Sequence, residues 1–193
     1  MALSREFLTY LTTEMASRLE TSGKVKIHDK GQVTAKIQQT FQEDFAKEDR
    51  LNQEVREYLE KHIDRIRRDG ISYQEMHQLV KKELMKKYRL IPSGGRGRDG
   101  TKLSRDKINE LSHSLVKNLL AIPQQIELID EKNEVRLELF RQLQALLREE
   151  TAIDQAVRQK IQSQKREIEE GSDEWDILFR KYYSEEMRKL GVS

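Results

Sequence analysis

Pro92-Ser93-Gly94-Gly95-Arg96-Gly97-Arg98-Asp99-Gly100 lies almost at the midpoint of the 193-residue chain. It holds four of the nine glycines and one of the two prolines. A segment this rich in glycine neither continues a helix nor holds a strand cheaply. The sequence on its two sides reads alike. Leu3-Ser4-Arg5 opens the first half and Leu103-Ser104-Arg105 opens the second. Leu8, Leu11, Met15 and Leu19 fall on one helical face, and Ile108, Leu111, Leu115 and Leu119 repeat them in register. Ser4 is a helix N-cap residue type, and Leu3 with Leu8 has the spacing of a hydrophobic staple.

The parallel continues along both halves. Val25-Lys26-Ile27-His28-Asp29 alternates as a short strand and answers Ile126-Glu127-Leu128-Ile129-Asp130. Each closes on an aspartate able to cap the next helix. That helix carries Val33, Ile37, Phe41 and Phe45 in one half and Val135, Leu139, Leu143 and Leu147 in the other. A third helix is expected after a polar turn near Glu48-Asp49, with Leu51, Val55, Leu59, Ile63 and Ile66 on one face, answered by Ile153, Val157, Ile161 and Ile168. Gly70 and Gly171 then break both halves. Ser72 with Glu75 has capping-box spacing, and Ile71 with Met76 supplies a staple. The last helix of the second half runs from Ser172 or Asp173 to Gly191.

These patterns predict a mainly α protein made of two tandem repeats of a small helical unit. Each repeat has about four helices and one short extended segment. Residues 1–91 form the first repeat, 92–102 a Gly/Arg-rich linker and 103–193 the second repeat. A lone short strand would leave backbone polar groups unpaired. Residues 25–27 and 126–128 are therefore expected to pair across a pseudo-two-fold axis. The competing arrangement is two independent helical domains swinging on the linker.

Charged residues make up 36% of the chain and hydrophobic residues another 36%. The charged share is well above the ~25% of ordinary globular domains and implies helices with strongly solvated faces. The absence of cysteine excludes disulfides, thiolate metal sites and cysteine nucleophiles, and agrees with a reducing compartment. No apolar run approaches the ~20 residues of a membrane span. Residues 1–20 lack the apolar core of a signal peptide. The expected location is the cytoplasm, with no membrane association. Net charge is +2, distributed as +3 over residues 1–91, +2 over 92–102 and −3 over 103–193. The basic half suits an anionic partner, or the acidic half of a second copy.

Gln162-Ser163-Gln164-Lys165-Arg166, Gly171-Ser172-Asp173-Glu174-Trp175-Asp176-Ile177-Leu178 and Arg180-Lys181-Tyr182-Tyr183-Ser184-Glu185-Glu186-Met187-Arg188-Lys189 resemble the C-terminal signature of the bacterial domain-of-unknown-function family 507. The resemblance covers roughly residues 103–190 strongly and the first half weakly, through the duplication. There Gly70-Ile71-Ser72-Tyr73 replaces the Gly-Ser-x-Glu-Trp core and the paired tyrosines are missing. The resemblance implies a small helical bacterial protein and carries no activity, cofactor or catalytic residue.

Chemical motifs are sparse. Gly95 to Lys102 approaches the spacing of a phosphate-binding loop, but it ends Thr101-Lys102 rather than Lys-Ser/Thr and no buried strand precedes it. A plain linker accounts for it. His28, His62, His77 and His113 include no i, i+4 pair around a glutamate. Ser4, Ser72, Ser104 and Ser172 sit at caps. No catalytic, cofactor-binding or metal residue is therefore predicted, and no small-molecule substrate is evident. Arg65, Arg67 and Arg68, with Lys81 and Lys82 on the next helix and Arg96 and Arg98 in the linker, form a basic set suited to phosphates, diluted by Glu60, Asp64, Asp69 and Glu83. Trp175, Leu178 and Tyr182 share a face that reads as core. Phe179 and Tyr183 lie on the neighbouring stripe and read as a partner surface. The expectation is a non-catalytic protein that works by macromolecular interaction, with protein or a second copy of itself. The alternative is RNA or DNA binding through the basic first half and linker.

Overall fold

The computed structural model describes residues 3–64, 72–92, 100–164, 166 and 168–191. It is mainly α-helical. The elements run α1 (Arg5–Thr21), β1 (Val25–Ile27), α2 (Lys30–Lys61), α3 (Tyr73–Tyr88), α4 (Arg105–Leu120), β2 (Ile126–Leu128), α5 (Lys132–Gln162) and α6 (Asp173–Lys189). Among the described residues no helix is long and apolar enough to cross a membrane.

Four serines set the helix starts. Ser4, Ser72, Ser104 and Ser172 accept from the backbone N–H groups of Phe7, Glu75, Lys107 and Trp175. Glu75 returns the bond to the Ser72 amide at 3.1 Å, completing the capping box. The Ile71 staple lies outside the described residues. Asp29 caps α2. Asp130 does not cap α5, whose N-cap is Glu131 without a side-chain bond. Instead Asp130 accepts from the Glu131 amide and from Lys24 at 2.7 Å.

The expected break near Glu48-Asp49 is absent. α2 runs unbroken for 32 residues and α5 for 31. Acidic residues do not terminate a helix in the way glycine or proline does, and the buried stripe continues from Phe45 through Leu51, Val55 and Leu59. The second and third helices expected in each half are therefore one, and residues 65–71 lie outside the described residues.

β1 and β2 pair antiparallel, with Val25 opposite Leu128, Lys26 opposite Glu127 and Ile27 opposite Ile126. The flanking bonds are two-fold symmetric. His28 and Asp29 donate their amides to the Gln125 carbonyl, and Ile129 and Asp130 donate theirs to the Lys24 carbonyl. The expected ribbon is thus present. Val25 and Ile126 turn inward and are buried.

One core joins the halves. Leu3, Phe7, Leu11, Met15, Val33, Ile37 and Phe41 belong to the same buried cluster as Leu103, Ile108, Leu111, Leu115, Val135, Leu139 and Leu143. α2 packs on α4 of the other half, and α1 packs on α5. The ends of the long helices then diverge in what they carry. α6 packs on α5 and touches α1, burying Trp175, Tyr183 and Met187. α3 packs mainly on α2 and, among the described residues, buries none of its own completely. Its Met76, Val80 and Leu84 cover Val55 and Leu59 as a small separate cluster.

Candidate functional site

Two places bring chemistry-bearing side chains together. The first is the arm formed by α3 and the distal part of α2. With Met76, Val80 and Leu84 turned onto α2, the other faces of α3 stay in solvent. Leu79 is 55% exposed, and Tyr58, Tyr73 and Tyr88 are each a little under half exposed. Glu75, Gln78, Leu79 and Lys82 line a shallow depression. Local partners occupy several of the polar groups. Lys81 lies 3.7 Å from Glu48, Lys86 donates to Glu83 at 2.9 Å and Tyr88 donates to Glu54 at 2.9 Å. The Lys86 contact, first by hydrogen bond and then by charge, holds the Glu83 carboxyl below the usual range. The His62 and His77 rings sit against Tyr58 and Tyr73.

The second place is a polar cleft of about 340 Å³ lined by Gly100, Lys102, Glu150, Thr151, Asp154, Gln155, Arg158 and Glu170. Glu150 is fully buried. Its Oε1 accepts from Lys102 Nζ at 2.5 Å and from the Tyr183 hydroxyl at 3.1 Å. Its Oε2 has no hydrogen-bond partner among the described residues. Lys102 also lies 3.6 Å from Asp154. Asp154 accepts from Arg158 Nε at 2.5 Å, and Arg158 bonds Glu170 through its other arm. Burial pushes the Tyr183 hydroxyl well above the usual tyrosine range. The Ser4 side chain opposes that rise and the Glu150 charge adds to it. Paired carboxylates hold the Arg158 guanidinium firmly protonated, the Asp154 hydrogen bond contributing most.

The basic residues named from sequence are not gathered into one described surface. Arg65, Arg67, Arg68, Arg96 and Arg98 lie outside the described residues. Lys81 is tied to Glu48, and Lys82 is exposed on the arm. The Tyr183 reading is corrected. Tyr183 is only 4% exposed, with its hydroxyl bonded inside the protein. Phe179 is half-buried, stacked on Tyr183 with ring centroids 5.8 Å apart and the Arg158 guanidinium 5.5 Å above it. Trp175 is buried as expected. The inward stripe of α6 is Trp175, Phe179, Tyr183 and Met187, a spacing of four that the 175, 178, 182 reading displaced by one position.

Sequence reasoning missed Lys102, Glu150, Asp154 and Arg158. It also missed the buried pair of Lys107 and Asp44, whose Nζ and Oδ2 are 2.7 Å apart. A signal existed. Glu150 falls between Leu147 and Val157 on the inward stripe of α5, and Lys107 adjoins Ile108 in α4. A charged residue on an apolar stripe needs a partner. Among the described residues no group of three or more His, Asp or Glu side chains is placed to hold a metal ion.

No curated protein matches the chain. A family model described as a protein of unknown function (DUF507) matches residues 1–192. The match therefore takes in the first half as well as the segment 103–190 that carries the signature. The chain belongs to the DUF507 family of proteins of unknown function.

Proposed function

We propose that this protein is a non-catalytic cytoplasmic protein that works by binding another protein, and that the α2–α3 arm is its contact surface. The observation that carries the reading is α3 itself. It buries no residue completely, it leaves its own Leu79, Tyr73 and Tyr88 in solvent near the exposed Tyr58 end of α2, and Lys82 lies beside Leu79 in the shallow depression. Exposed tyrosines and a leucine flanked by lysine suit an apolar recess rimmed by carboxylates. Nucleic acid is the weaker reading, because Lys81 and Lys86 already face glutamates of the same arm. The acid–base groups of the cleft, Glu150, Lys102 and Tyr183, are bonded to one another, which favours a structural use over a catalytic one.

The reading includes an internal duplication. Its support is the matched element order, the four serine caps and the two-fold bonding around the ribbon. Thr12 and Ser112 add to it, both buried and both bonded back to a carbonyl three residues earlier.

The test is a photo-crosslinking side chain at Gln78 in the full-length protein, inside its own cells. A discrete protein adduct is expected from position 78. It should be lost when Leu79→Asp and Lys82→Glu are added, and the same probe at Glu20 should give none. No adduct at position 78, or an adduct indifferent to those changes, overturns the reading. An adduct removed by nuclease transfers it to nucleic acid.

A further inference from the structure

We propose that α6 is a releasable clasp, held on the core by the ladder Tyr183–Glu150–Lys102–Asp154–Arg158–Glu170. The ladder joins four parts of the chain. Tyr183 belongs to α6, Glu150, Asp154 and Arg158 to α5, Lys102 to the segment entering α4, and Glu170 to the segment between α5 and α6. Its bonds are the 3.1 Å and 2.5 Å contacts to Glu150 Oε1, the 3.6 Å and 2.5 Å contacts to Asp154 and the Arg158–Glu170 pair.

The ladder fixes where α6 sits better than it holds α6 down. Glu150 is 0% exposed, yet among the described residues only one of its oxygens is hydrogen-bonded. A buried carboxylate that is not fully satisfied offsets much of the attraction of its own ion pair. Apolar hold comes from three completely buried residues, with Leu178, Phe179 and Tyr182 partly buried beside them. Releasing α6 hydrates Glu150 at the expense of uncovering Trp175, Tyr183 and Met187. Opposing contributions of this kind place a helix at the low end of the stability range within a protein, where it opens without global unfolding.

The same molecule repeats the arrangement at its other end with a weaker apolar hold. In the register that aligns Val33 with Val135, Glu48 of α2 occupies the place of Glu150. Glu48 is met by Lys81 of α3 at 3.7 Å. α3 rests mainly on α2, whereas α6 packs on α5 and also reaches α1. The chain thus carries two arms on two alike long helices, one with three completely buried residues and one with none.

The test is amide hydrogen exchange on the full-length protein at pH 8, comparing α6 with α4. Lys102→Met leaves the Glu150 charge buried without its cation, and release of α6 is the way to hydrate it. Exchange over 173–189 is expected to rise at least about tenfold, with residues 105–120 unchanged. Lys102→Met with Glu150→Gln should restore slow exchange, because a neutral amide needs no cation. Tyr183→Phe removes one hydrogen bond and is the milder variant should Lys102→Met fail to fold. It should speed α6 exchange by roughly two- to tenfold. Unchanged exchange in α6, equal acceleration in α4, or no restoration by Glu150→Gln each overturns the clasp.

Discussion

Replacing the buried Asp44–Lys107 pair by the residues at the corresponding places of the other half should leave the fold intact and at least as stable. Lys107 is the third residue of α4 and Phe7 the third of α1, each donating its amide to a capping serine. Asp44 precedes Phe45 on α2, as Leu146 precedes Leu147 on α5. Phe7 and Leu146 are fully buried, and Lys107 and Asp44 nearly so. The α2–α4 side of the core therefore holds an ion pair where the α1–α5 side holds two apolar residues. Lys107→Phe alone strands the Asp44 carboxylate and should cost about 3–5 kcal/mol. Asp44→Leu alone should cost less, about 1–3 kcal/mol, because Lys107 keeps Glu110 at 2.9 Å. The double variant should range from unchanged to about 1–4 kcal/mol more stable, since apolar residues often replace a buried pair without loss. The sign agrees with the Asp44 carboxyl, which burial raises above its ordinary value against the pull of Lys107. A raised folded value means this group's contribution to stability falls as pH climbs from the ordinary aspartate value through the raised one. The advantage of the double variant should widen over that window. Urea unfolding with linear extrapolation measures all four proteins. A double variant as weak as the two single losses together would refute the correspondence.

Trp175→Ala should weaken the docking of α6 by up to about 3–5 kcal/mol, the cost of truncating a buried tryptophan, read as faster amide exchange over residues 173–189, and unchanged exchange there would remove Trp175 from the core. Glu75 is held below its ordinary value of 4.5 by the Ser72 hydroxyl first and the Ser72 amide second. The capping box is therefore fully formed above that ordinary value, and its contribution is lost as pH falls through the lowered one. In an NMR titration the Ser72 amide shift should move with a midpoint below 4.5, and Glu75→Gln should abolish the movement.

The caps, the paired strands and the inward stripes of α1, α2, α4 and α5 were legible because each depends on residue type at short spacing. Ser4 with Leu3 and Leu8 states its role within six residues. The ribbon was legible because two short alternating segments each needed a partner and resembled one another. The uninterrupted α2 and α5 were not, because a polar patch such as Glu48-Asp49 reads as a turn when the stripes on its two sides are considered apart. The different fates of α3 and α6 were legible least. Both begin at a serine cap with apolar residues at helical spacing, and what each meets lies far along the chain, as Glu150 with Lys102 and Tyr183 does. A single charged residue in an apolar stripe was the visible trace of those contacts.

Cutting the chain between Gly94 and Gly95, at a protease site inserted there, tests most directly whether the two halves build one core. Residues of α1 and α2 share a buried cluster with those of α4 and α5, and the ribbon takes one strand from each half. The cut protein should elute in size exclusion as one species at the position of the intact chain and unfold in a single transition. Two separately eluting folded halves, or two unfolding transitions, would contradict the shared core.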